Sequence, residues 1–416
     1  MRRFQDRLWK AAPNKPPERT DLMFADLAAL PPDALLGLTK LYNDDKRTKK
    51  IDLGVGVFRT PDNRTPVLKA VESAQSRLVE RETTKVYLPP EGAPGFGDAI
   101  RTLVFGASIA ADRSAVVQTP GGCGALRVGA ELLRRAGAQG VTIGTPTWAN
   151  HHPLLSAAGL KISMAPYYNA QTGGIDFDAF YESAARLGPG DALLLHGGCH
   201  NPTGADLSPE EIDALVDLAV ERGFLPFVDC AYHGFAKGPD EDAYVMRRLA
   251  ERAPEFIVSY SCSKNFGLYR ERTGALILVG ANADRTAAMK SHVLNIARQI
   301  YSMPPAHGGI IVAEILGDTT LNRAWREELE EMRRAVVANR MLLVKTAAEH
   351  QLGEKLDYIT RQNGMFSLLP VSDAQVLTLR EKHGVYLAGG GRANMCGVNE
   401  GNVGHLCEAL ADVLTG

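Results

Sequence analysis

Short apolar runs alternate with stretches of helical spacing through the middle of the chain. The apolar runs are Ala115–Thr119, Val141–Gly144, Ala192–His196, Leu225–Asp229, Phe256–Tyr260 and Ala275–Val279. Helical patterns lie between several of them, among others at Ala125–Arg135 and Pro209–Arg222. Strands that alternate with helices in this way predict an α/β domain with a largely parallel sheet.

The helix at Pro209–Arg222 has the clearest start signal. Ser208 is a favoured N-cap residue, and proline is well tolerated in the first turn of a helix. Glu211 stands three residues after Ser208, where a capping box requires it. These residues predict that the helix begins directly after Ser208.

The last third of the chain predicts a smaller α/β lobe. A helical stretch from Leu321 to Glu349 contains neither glycine nor proline, and a helix of this length often links two lobes. The following pattern predicts a strand around Met365–Leu369, a helix capped by Ser372, a strand around Val385–Ala388 and a final helix.

These elements predict two domains. The large domain covers residues 66–330, and the small domain is formed by residues 331–416 together with residues 1–65. Within the N-terminal part, the proline-rich segment Pro13–Pro17 predicts an extended arm ahead of the folded body.

The charge balance excludes several classes of protein. The chain has 46 Lys and Arg against 48 Asp and Glu, so it lacks the basic excess of a protein that binds nucleic acid or a membrane surface. No apolar run approaches the roughly 18 residues that span a bilayer. The basic start MRRFQDRLWKAAPNK has no apolar signal-peptide core, and Asp6 disfavours an organellar transit peptide. We therefore expect a cytoplasmic protein.

The cysteines indicate neither disulfides nor a metal site. They are scattered along the chain at Cys123, Cys199, Cys230, Cys262, Cys396 and Cys407. No pair has C-x-x-C spacing, and the adjacent Cys199 and His200 have no second pair at zinc-binding spacing. Reduced thiols and no metal are therefore expected.

A lysine after the run Phe256–Tyr260 is the first candidate for chemistry. Lys264 lies in Ser-Cys-Ser-Lys, and Arg272 stands eight positions beyond it. A lone lysine in such a place is usually solvated. A lysine that is desolvated and close to another cation loses its proton more easily, as a lysine that forms a Schiff base must. The neighbouring hydroxyls and Arg272 together could cradle a phosphate, because a guanidinium offers forked donors.

Asp229 follows the apolar run Leu225–Val228, and Tyr232 comes three residues later. One interpretation is a carboxylate that caps the next turn. The alternative is a buried anion that pairs with a protonated ring nitrogen of a cofactor. At about 4 Å and an effective dielectric constant of about 20, that attraction is worth roughly 4 kcal/mol. A ring kept charged in this way can act as an electron sink.

Two loops follow other predicted strands. The sequence Asn201-Pro202-Thr203-Gly204 alone predicts only a turn, but at the carboxyl end of a strand it is a candidate ligand loop. Gly121-Gly122-Cys123-Gly124 leads from a strand into a helix, where free amides bind anions. It is neither a Walker A sequence nor the dinucleotide glycine motif.

In this order, the segments resemble the class I aminotransferases of fold type I, and within them the aspartate and aromatic amino-acid aminotransferase branch. The resemblance covers nearly the whole chain and rests on TTKVYLPPEG (83–92), QTPGGCGALRVGAEL (118–132), HGGCHNPTG (196–204), SCSKNFGLYRERTG (261–274), YSMPPAHG (301–308) and QNGMFS (362–367). It implies a pyridoxal 5′-phosphate (PLP) enzyme with a large, mostly parallel sheet between helices and a smaller α/β domain. It also implies a homodimer with active sites shared across the interface.

The resemblance implies a role for each residue near the cofactor ring. Lys264 would bind the cofactor covalently and later shuttle a proton between the substrate Cα and C4′ of the cofactor. Asp229 would pair with the pyridine nitrogen, and His151 would support Asp229. Asn201 and Tyr232 would hydrogen-bond the 3′-oxygen of the ring.

Trp148 would stack on the ring face, and the phosphate would lie at the other end of the cofactor. By the same resemblance, the phosphate would be bound by Ser261, Ser263, Arg272 and the amides of Gly122 and Cys123. Tyr87 would reach this phosphate from the neighbouring subunit.

The substrate would be held mainly by two arginines. Arg392 would grip the α-carboxylate, with Gly56 against the same group and with Asn201 and Trp148 also bordering the substrate. Arg298 would extend from the neighbouring subunit to a distal carboxylate; by itself, Arg298 reads as a solvated surface residue.

The implied reaction is ping-pong transamination. The amino group of aspartate, glutamate or an aromatic amino acid would pass to the cofactor and then to a 2-oxo acid such as 2-oxoglutarate. Three alternatives stay open: a specialised aminotransferase of a secondary pathway, a PLP lyase or decarboxylase, and a PLP-binding regulator.

The sequence departs from the usual pattern of the branch at four positions. Cys123 stands where a Ser or Thr commonly donates to the phosphate, and Cys262 stands where an aromatic residue is frequent. Val86 and Met303 replace residues that are often polar, which favours aromatic substrates, whereas Arg298 favours aspartate and glutamate.

Overall fold

The computed structural model describes residues 22–30 and 34–415. The predicted arm at Pro13–Pro17 lies outside the described residues. Within the described part of the chain, no helix is long and apolar enough to cross a membrane.

Strands and helices alternate through the centre of the chain, as the hydrophobic pattern predicts. The strands are β1 (Ile51–Asp52), β2 (Ser114–Pro120), β3 (Gly140–Thr145), β4 (Lys161–Pro166), β5 (Tyr168–Asn169), β6 (Gly174–Ile175), β7 (Asp191–His196), β8 (Leu225–Cys230), β9 (Phe256–Ser261), β10 (Thr273–Val279), β11 (Phe366–Leu368), β12 (Val385–Tyr386) and β13 (Arg392–Asn394). The helices are α1 (Ala34–Asp44), α2 (Lys69–Arg81), α3 (Phe96–Phe105), α4 (Gly121–Arg135), α5 (His151–Ser156), α6 (Phe177–Ala184), α7 (Pro209–Arg222), α8 (Tyr244–Arg252), α9 (Ala283–Ile300), α10 (Ala306–Gly317), α11 (Thr319–Glu349), α12 (Gly353–Leu356), α13 (Asp373–His383) and α14 (Val403–Thr415).

Seven strands form the central sheet, in the order β2-β10-β9-β8-β7-β3-β4. Strand β10 runs antiparallel to both its neighbours, and the other pairs are parallel, so the predicted largely parallel sheet is confirmed. Adjacent residues of β10, such as Leu276 and Ile277, belong to two separate hydrophobic clusters. Helices α4 and α9 cover one face of the sheet, and α3 and α10 cover the other.

The hydrophobic pattern does not predict β4. This strand lies at the edge of the sheet, and Lys161, Ser163 and Met164 on it are exposed. An edge strand with one solvated face tolerates polar residues, so its apolar signal is weak.

The topology gathers the candidate residues at one edge of the sheet. Because β10 alone is reversed, its amino end meets the carboxyl ends of the other strands. Gly121 follows β2, Asp229 lies near the end of β8, Lys264 follows β9, and Arg272 precedes β10. This is the edge at which open α/β sheets bind ligands.

The N-terminal and C-terminal segments join each other beside the sheet. Strand β1 pairs in parallel with β12, and β11 pairs antiparallel with β13. Helix α11 is continuous, and the domain boundary predicted at residue 330 lies within it. These pairs form two small sheets outside the central sheet, and β1 of the N-terminal segment takes part in one of them.

The predicted helix caps are confirmed. Helix α7 begins after Ser208, whose hydroxyl accepts from the Glu211 amide in a capping box. Helix α13 begins after Ser372, which forms the same motif with Gln375.

Helix α11 is fixed to the segment that carries Lys264. Trp325 is fully buried, and its ring stacks on that of Phe266 with 4.6 Å between the ring centroids. Its indole N–H donates to the carbonyl oxygen of Asn265 at 2.7 Å. The turn after β9 is therefore held by the core as well as by the sheet.

Candidate active site

A cavity of about 250 Å³ opens at the carboxyl edge of the sheet. Most residues singled out from the sequence line it: Gly56, Gly122, Cys123, Trp148, Asn201, Asp229, Tyr232, Ser261, Ser263, Lys264, Arg272 and Arg392. The remaining lining residues are Leu126, His196, Ala231, Tyr269 and Phe366. Segments that are far apart in sequence therefore converge on a single site.

Lys264 projects into this cavity with its ammonium nitrogen 4.8 Å from the ring centre of Tyr232. Burial lowers the pKa of its amine, and the charges of Arg272 and Arg392 add to the effect, whereas Asp229 opposes it. A lowered pKa increases the fraction of neutral, nucleophilic amine near neutral pH.

Asp229 lines the same cavity and is buried. Its Oδ2 lies 3.0 Å from Nε2 of His151, which is fully buried. Burial by itself would raise the pKa of Asp229, but the hydrogen bond from His151 and the charges of His151 and Lys264 outweigh it and lower the pKa. Asp229 is thus an ionised carboxylate in a desolvated place.

A chain of hydrogen bonds continues behind His151. Its Nδ1 lies 2.8 Å from the hydroxyl of Thr147, which lies 3.2 Å from Nε2 of His196. Burial, with a smaller effect of the charge of His151, lowers the pKa of His196 to about 3. His196 is therefore neutral, and this arrangement lets His151 donate from Nε2 to Asp229.

An anion cup faces Lys264 at the start of α4. Gly121 has φ +69°, and a Cβ built on it would lie 2.5 Å from Nη2 of Arg272, so only glycine fits. Arg272 Nη1 donates to Ser263 Oγ at 3.4 Å and to the Tyr269 carbonyl oxygen at 3.1 Å. The anion cup consists of the backbone amides at the start of α4, the hydroxyls of Ser261 and Ser263, and the guanidinium of Arg272. These hydrogen-bond donors together suit a phosphate.

Cys123 lies in the first turn of α4, at this cup. It is partly buried, whereas the other five cysteines are buried. A thiol is a weaker hydrogen-bond donor than a hydroxyl, so the cup has one weak donor where Ser or Thr would supply a stronger one.

Arg392 is buried at the other end of the cavity. Its Nη1 donates to Oδ1 of Asn201 at 3.1 Å, and its Nη2 donates to the Gly54 carbonyl oxygen at 2.9 Å. The guanidinium stands 4.2 Å above the ring centre of Phe366. Its Nε has no hydrogen-bond partner among the described residues. A buried cation with spare donors is suited to a carboxylate ligand.

The cavity walls between these ends are aromatic. Trp148 packs edge-to-face on His151, with 5.3 Å between ring centroids. Tyr232 packs edge-to-face on Phe366. Burial raises the pKa of Tyr232, so its hydroxyl keeps its proton and can donate a hydrogen bond.

Three predicted residues do not line the cavity. His151 lies behind it, where it contacts the lining residues Asp229, Trp148 and His196. Tyr87 is 87% exposed and lines a separate groove of about 930 Å³ with Val86 and Met303. Arg298 is exposed in the last turn of α9 and bonds to Ser302. The roles of Tyr87 and Arg298, which require a neighbouring subunit, stay predictions.

Sequence reasoning did not single out Tyr269, Phe366 or His196 for the site. Tyr269, Phe366 and His196 lie inside the segments SCSKNFGLYRERTG, QNGMFS and HGGCHNPTG, so the resemblance carried a signal for all three. Among the described residues, no cluster of His, Cys, Asp and Glu could hold a metal ion.

Comparison with known proteins relates this geometry to characterised chains. The family model described as "Aminotransferase class I and II" matches residues 48–410. The chain is 42% identical to the aromatic-amino-acid aminotransferase of Pseudomonas aeruginosa, over 94% of this chain and 98% of that one. It is 43% identical to the aspartate aminotransferase of Escherichia coli, over 94% and 100% of the two chains.

A solved structure shows the same likeness. The aromatic-amino-acid aminotransferase of Burkholderia pseudomallei, covalently bound to pyridoxal phosphate, superposes with a TM-score of 0.92 at 37% identity. The match covers 94% of this chain and 100% of that one.

Proposed function

The chain belongs to the class I and II aminotransferase family, and from this premise we propose how the residues around Lys264 divide the work of transamination. The protein is a PLP-dependent enzyme that transfers amino groups of the aspartate and aromatic amino-acid classes. Its substrates are amino acids and 2-oxo acids. The observation that carries the residue assignment is one cavity lined by a lysine of lowered pKa, an anion cup and a buried carboxylate.

The residues of the cavity fit PLP. The glycine cradle against Arg272 matches a phosphate, and the ionised Asp229 in the same cavity matches a protonated pyridine nitrogen. The orphaned Nε of buried Arg392 marks the place of a further anionic group, the carboxylate of the substrate. When bound, the cofactor supplies an electron sink for the charge that develops at the substrate Cα.

Lys264 has two tasks in this proposal. Its Nζ, whose lowered pKa favours the neutral amine, would hold the cofactor covalently. When an amino acid has taken its place on the cofactor, the same Nζ would serve as the base and acid that moves the proton of the substrate Cα.

The polar neighbours hold charge and orientation. Asp229 keeps the proton on the ring nitrogen, and the hydrogen bond from His151 keeps Asp229 ionised. Asn201 and Tyr232, which line the cavity, would donate to the 3′-oxygen of the ring, and Trp148 would cover its face. These contacts orient the group and exclude water from it.

Substrate binding is assigned to the arginine end. Arg392 binds the α-carboxylate, beside Gly56. The phosphate end is assigned to the cup residues Ser261, Ser263, Arg272, Gly122 and Cys123.

We also propose a homodimer with shared active sites. Val86 is 75% exposed and Tyr87 is 87% exposed, and both line the apolar groove that Met303 borders. The segment 22–30 likewise exposes large apolar side chains, including those of Met23 and Leu30. Contiguous exposed apolar surface of this kind is typical of protein interfaces. In this proposal, Tyr87 and Arg298 complete the site of the neighbouring subunit.

Two further proposals concern the chain as a whole. The division into domains at 66–330 and at 1–65 with 331–416 is supported by the pairing of β1 with β12. A cytoplasmic location is supported by the six free cysteines, because disulfides are rare in reducing compartments.

The donor class is tested by half-reactions of the holoenzyme with aspartate, glutamate, phenylalanine and tyrosine. Conversion of the bound cofactor from its pyridoxal to its pyridoxamine form is followed by absorbance. We expect conversion by dicarboxylic and aromatic donors alike. Conversion by aspartate and glutamate alone would show that Val86 and Met303 do not broaden specificity, and conversion by none of them would contradict the proposal.

A further inference from the structure

A second buried arginine lies close behind the cavity, outside its lining. Arg340 is on α11, and only 2% of it is exposed. Its guanidinium donates at 2.6–3.2 Å to the carbonyl oxygens of Ile359, Asn363, Gly364 and Phe366 and to the hydroxyl of Ser367. All these acceptors belong to the segment 359–367, which leads into β11.

The partners of Arg340 are neutral oxygens. Burial lowers the pKa of Arg340 to about 10, so the guanidinium is still charged at neutral pH. A buried charge is costly, and an apolar side chain would pack in the same place without that cost. A flat group with five N–H donors, however, can order several carbonyl groups of one turn at once.

The same turn is bound from its other side by Asp206. The side-chain amide of Asn363 donates to Asp206 Oδ2 at 3.0 Å. Asp206 also accepts from the backbone amides of Cys199 and His200, each at 2.9 Å. The buried guanidinium of Arg340 and the partly buried carboxylate of Asp206 therefore hold the turn between α11 and the loop that precedes Asn201.

The two loops approach each other very closely at Gly204. The backbone N–H of Asn363 donates to the Gly204 carbonyl oxygen at 2.8 Å. Gly204 has φ +72°, and a Cβ on it would lie 2.4 Å from the Phe366 carbonyl oxygen. The backbone contact leaves little freedom for one loop to move without the other.

Each of the two loops contributes one residue that contacts Arg392. Asn201, two residues after Cys199, accepts from Arg392 Nη1, and Phe366 supports the guanidinium from below. Phe366 is also one of the residues whose carbonyl group binds Arg340, at 2.6 Å. The position of Arg392 thus depends on the two segments that Arg340 and Asp206 hold together.

We propose that Arg340 is a positioning residue for substrate binding, which sets Arg392 for the substrate carboxylate through the turn 359–367 and its contact with Asp206. The inference rests on the proposed function of Arg392 and adds the element that fixes its geometry. Arg340 touches neither cofactor nor substrate, so its loss weakens carboxylate binding and leaves the chemistry at Lys264 largely intact.

The test compares Arg340→Lys and Asn363→Ala with the control Arg334→Lys. Arg334 lies on the same helix, but its side chain is 74% exposed and pairs with Glu330. For each holoenzyme, kcat and KM are measured with aspartate, and the dissociation constant of maleate, an unreactive dicarboxylate, is measured by calorimetry. Thermal unfolding reports whether each variant is folded.

We expect KM and the maleate dissociation constant to rise roughly tenfold in Arg340→Lys, with kcat within about threefold of wild type. Asn363→Ala should change both in the same direction, by about three- to fivefold, and Arg334→Lys should change neither. Unchanged KM and maleate affinity in folded Arg340→Lys would overturn the proposal.

If Arg340→Lys does not fold, the test relies on the maleate affinity of Asn363→Ala, because Asn363 is partially exposed. In that case unchanged maleate affinity in Asn363→Ala overturns the inference, and weakened affinity supports it. A wild-type enzyme that binds maleate but converts no amino acid would contradict the proposed function instead, so the two failures are distinguishable.

Discussion

The two ends of the cavity are built in different ways. At the cofactor end, Asp229 lies in β8, Ser261 ends β9 and Arg272 precedes β10, so the central sheet places all three. At the substrate end, Arg392 begins the three-residue strand β13, and its supports Asn201 and Phe366 come from a loop and another three-residue strand. The seven-stranded sheet fixes the first end, whereas a two-stranded sheet of three-residue strands, loop contacts and the buried Arg340 fix the second.

This difference predicts different consequences of mutation. Changes at the cofactor end should remove chemistry and lower kcat, because its groups hold the proton and the charge of the reaction. Changes at the substrate end should mainly weaken binding and raise KM. The following substitutions test that contrast.

The largest effect is expected for Lys264→Ala. This variant should fold and still bind PLP at the cup, but its kcat should fall by at least about a thousandfold, because no other group replaces Nζ as base. Thermal unfolding shows whether the variant is folded, and steady-state kinetics give its kcat. Lys382→Ala, at a lysine whose side chain is 60% exposed, is the control. Near-normal turnover in Lys264→Ala would refute the assignment.

A smaller effect, mainly on KM, is expected for Arg392→Lys. An ammonium group cannot make the paired hydrogen bonds of a guanidinium, so kcat/KM should fall about a hundredfold for every amino donor. The kinetics are compared with aspartate and phenylalanine. A loss confined to aspartate would show that Arg392 does not bind the α-carboxylate that both donors share.

Arg298→Ala should separate the donor classes. We expect kcat/KM to fall roughly tenfold or more for aspartate and to change little for phenylalanine, because only aspartate offers a second carboxylate to this charge. Equal losses with both donors would contradict the proposed role of Arg298. The result also bears on the dimer, because Arg298 lies outside the cavity of its own chain.

The smallest effect is expected for Cys123→Ser. A hydroxyl donates to phosphate more strongly than a thiol, so the dissociation constant of PLP should fall by about three- to tenfold. Fluorescence titration of the apoenzyme measures it, and Cys123→Ala serves as the matched variant without a donor. An unchanged constant in Cys123→Ser would show that this side chain does not contact the phosphate.

The sequence predicts the sheet well because its strands are buried on both faces. Six of the seven strands appear as apolar runs, and the polar edge strand β4 does not. The pattern also places the start of α4 at Ala125 rather than Gly121, since glycine has poor helix propensity. Gly122 and Cys123 of this stretch belong to the anion cup, so the local rule fails at a candidate functional site.

The residues of the candidate site also differ in how well the sequence reveals them. Lys264, Asp229 and the glycine loop can be found from their types and places after strands. Arg340 was not singled out, although it stands on the buried stripe of α11 between Val336 and Leu343, because most of its acceptors are backbone carbonyls of a loop. Every residue has a backbone carbonyl group, so the amino-acid sequence does not show which carbonyl groups will bind an arginine.

The most direct test of the central claim is borohydride reduction of the holoenzyme followed by peptide mapping. Reduction makes the bond between the cofactor and its lysine permanent, so the labelled peptide identifies that lysine. We predict the phosphopyridoxyl label on Lys264, and no specific label in Lys264→Ala. A label on a different lysine of the wild-type enzyme would contradict the proposed active site.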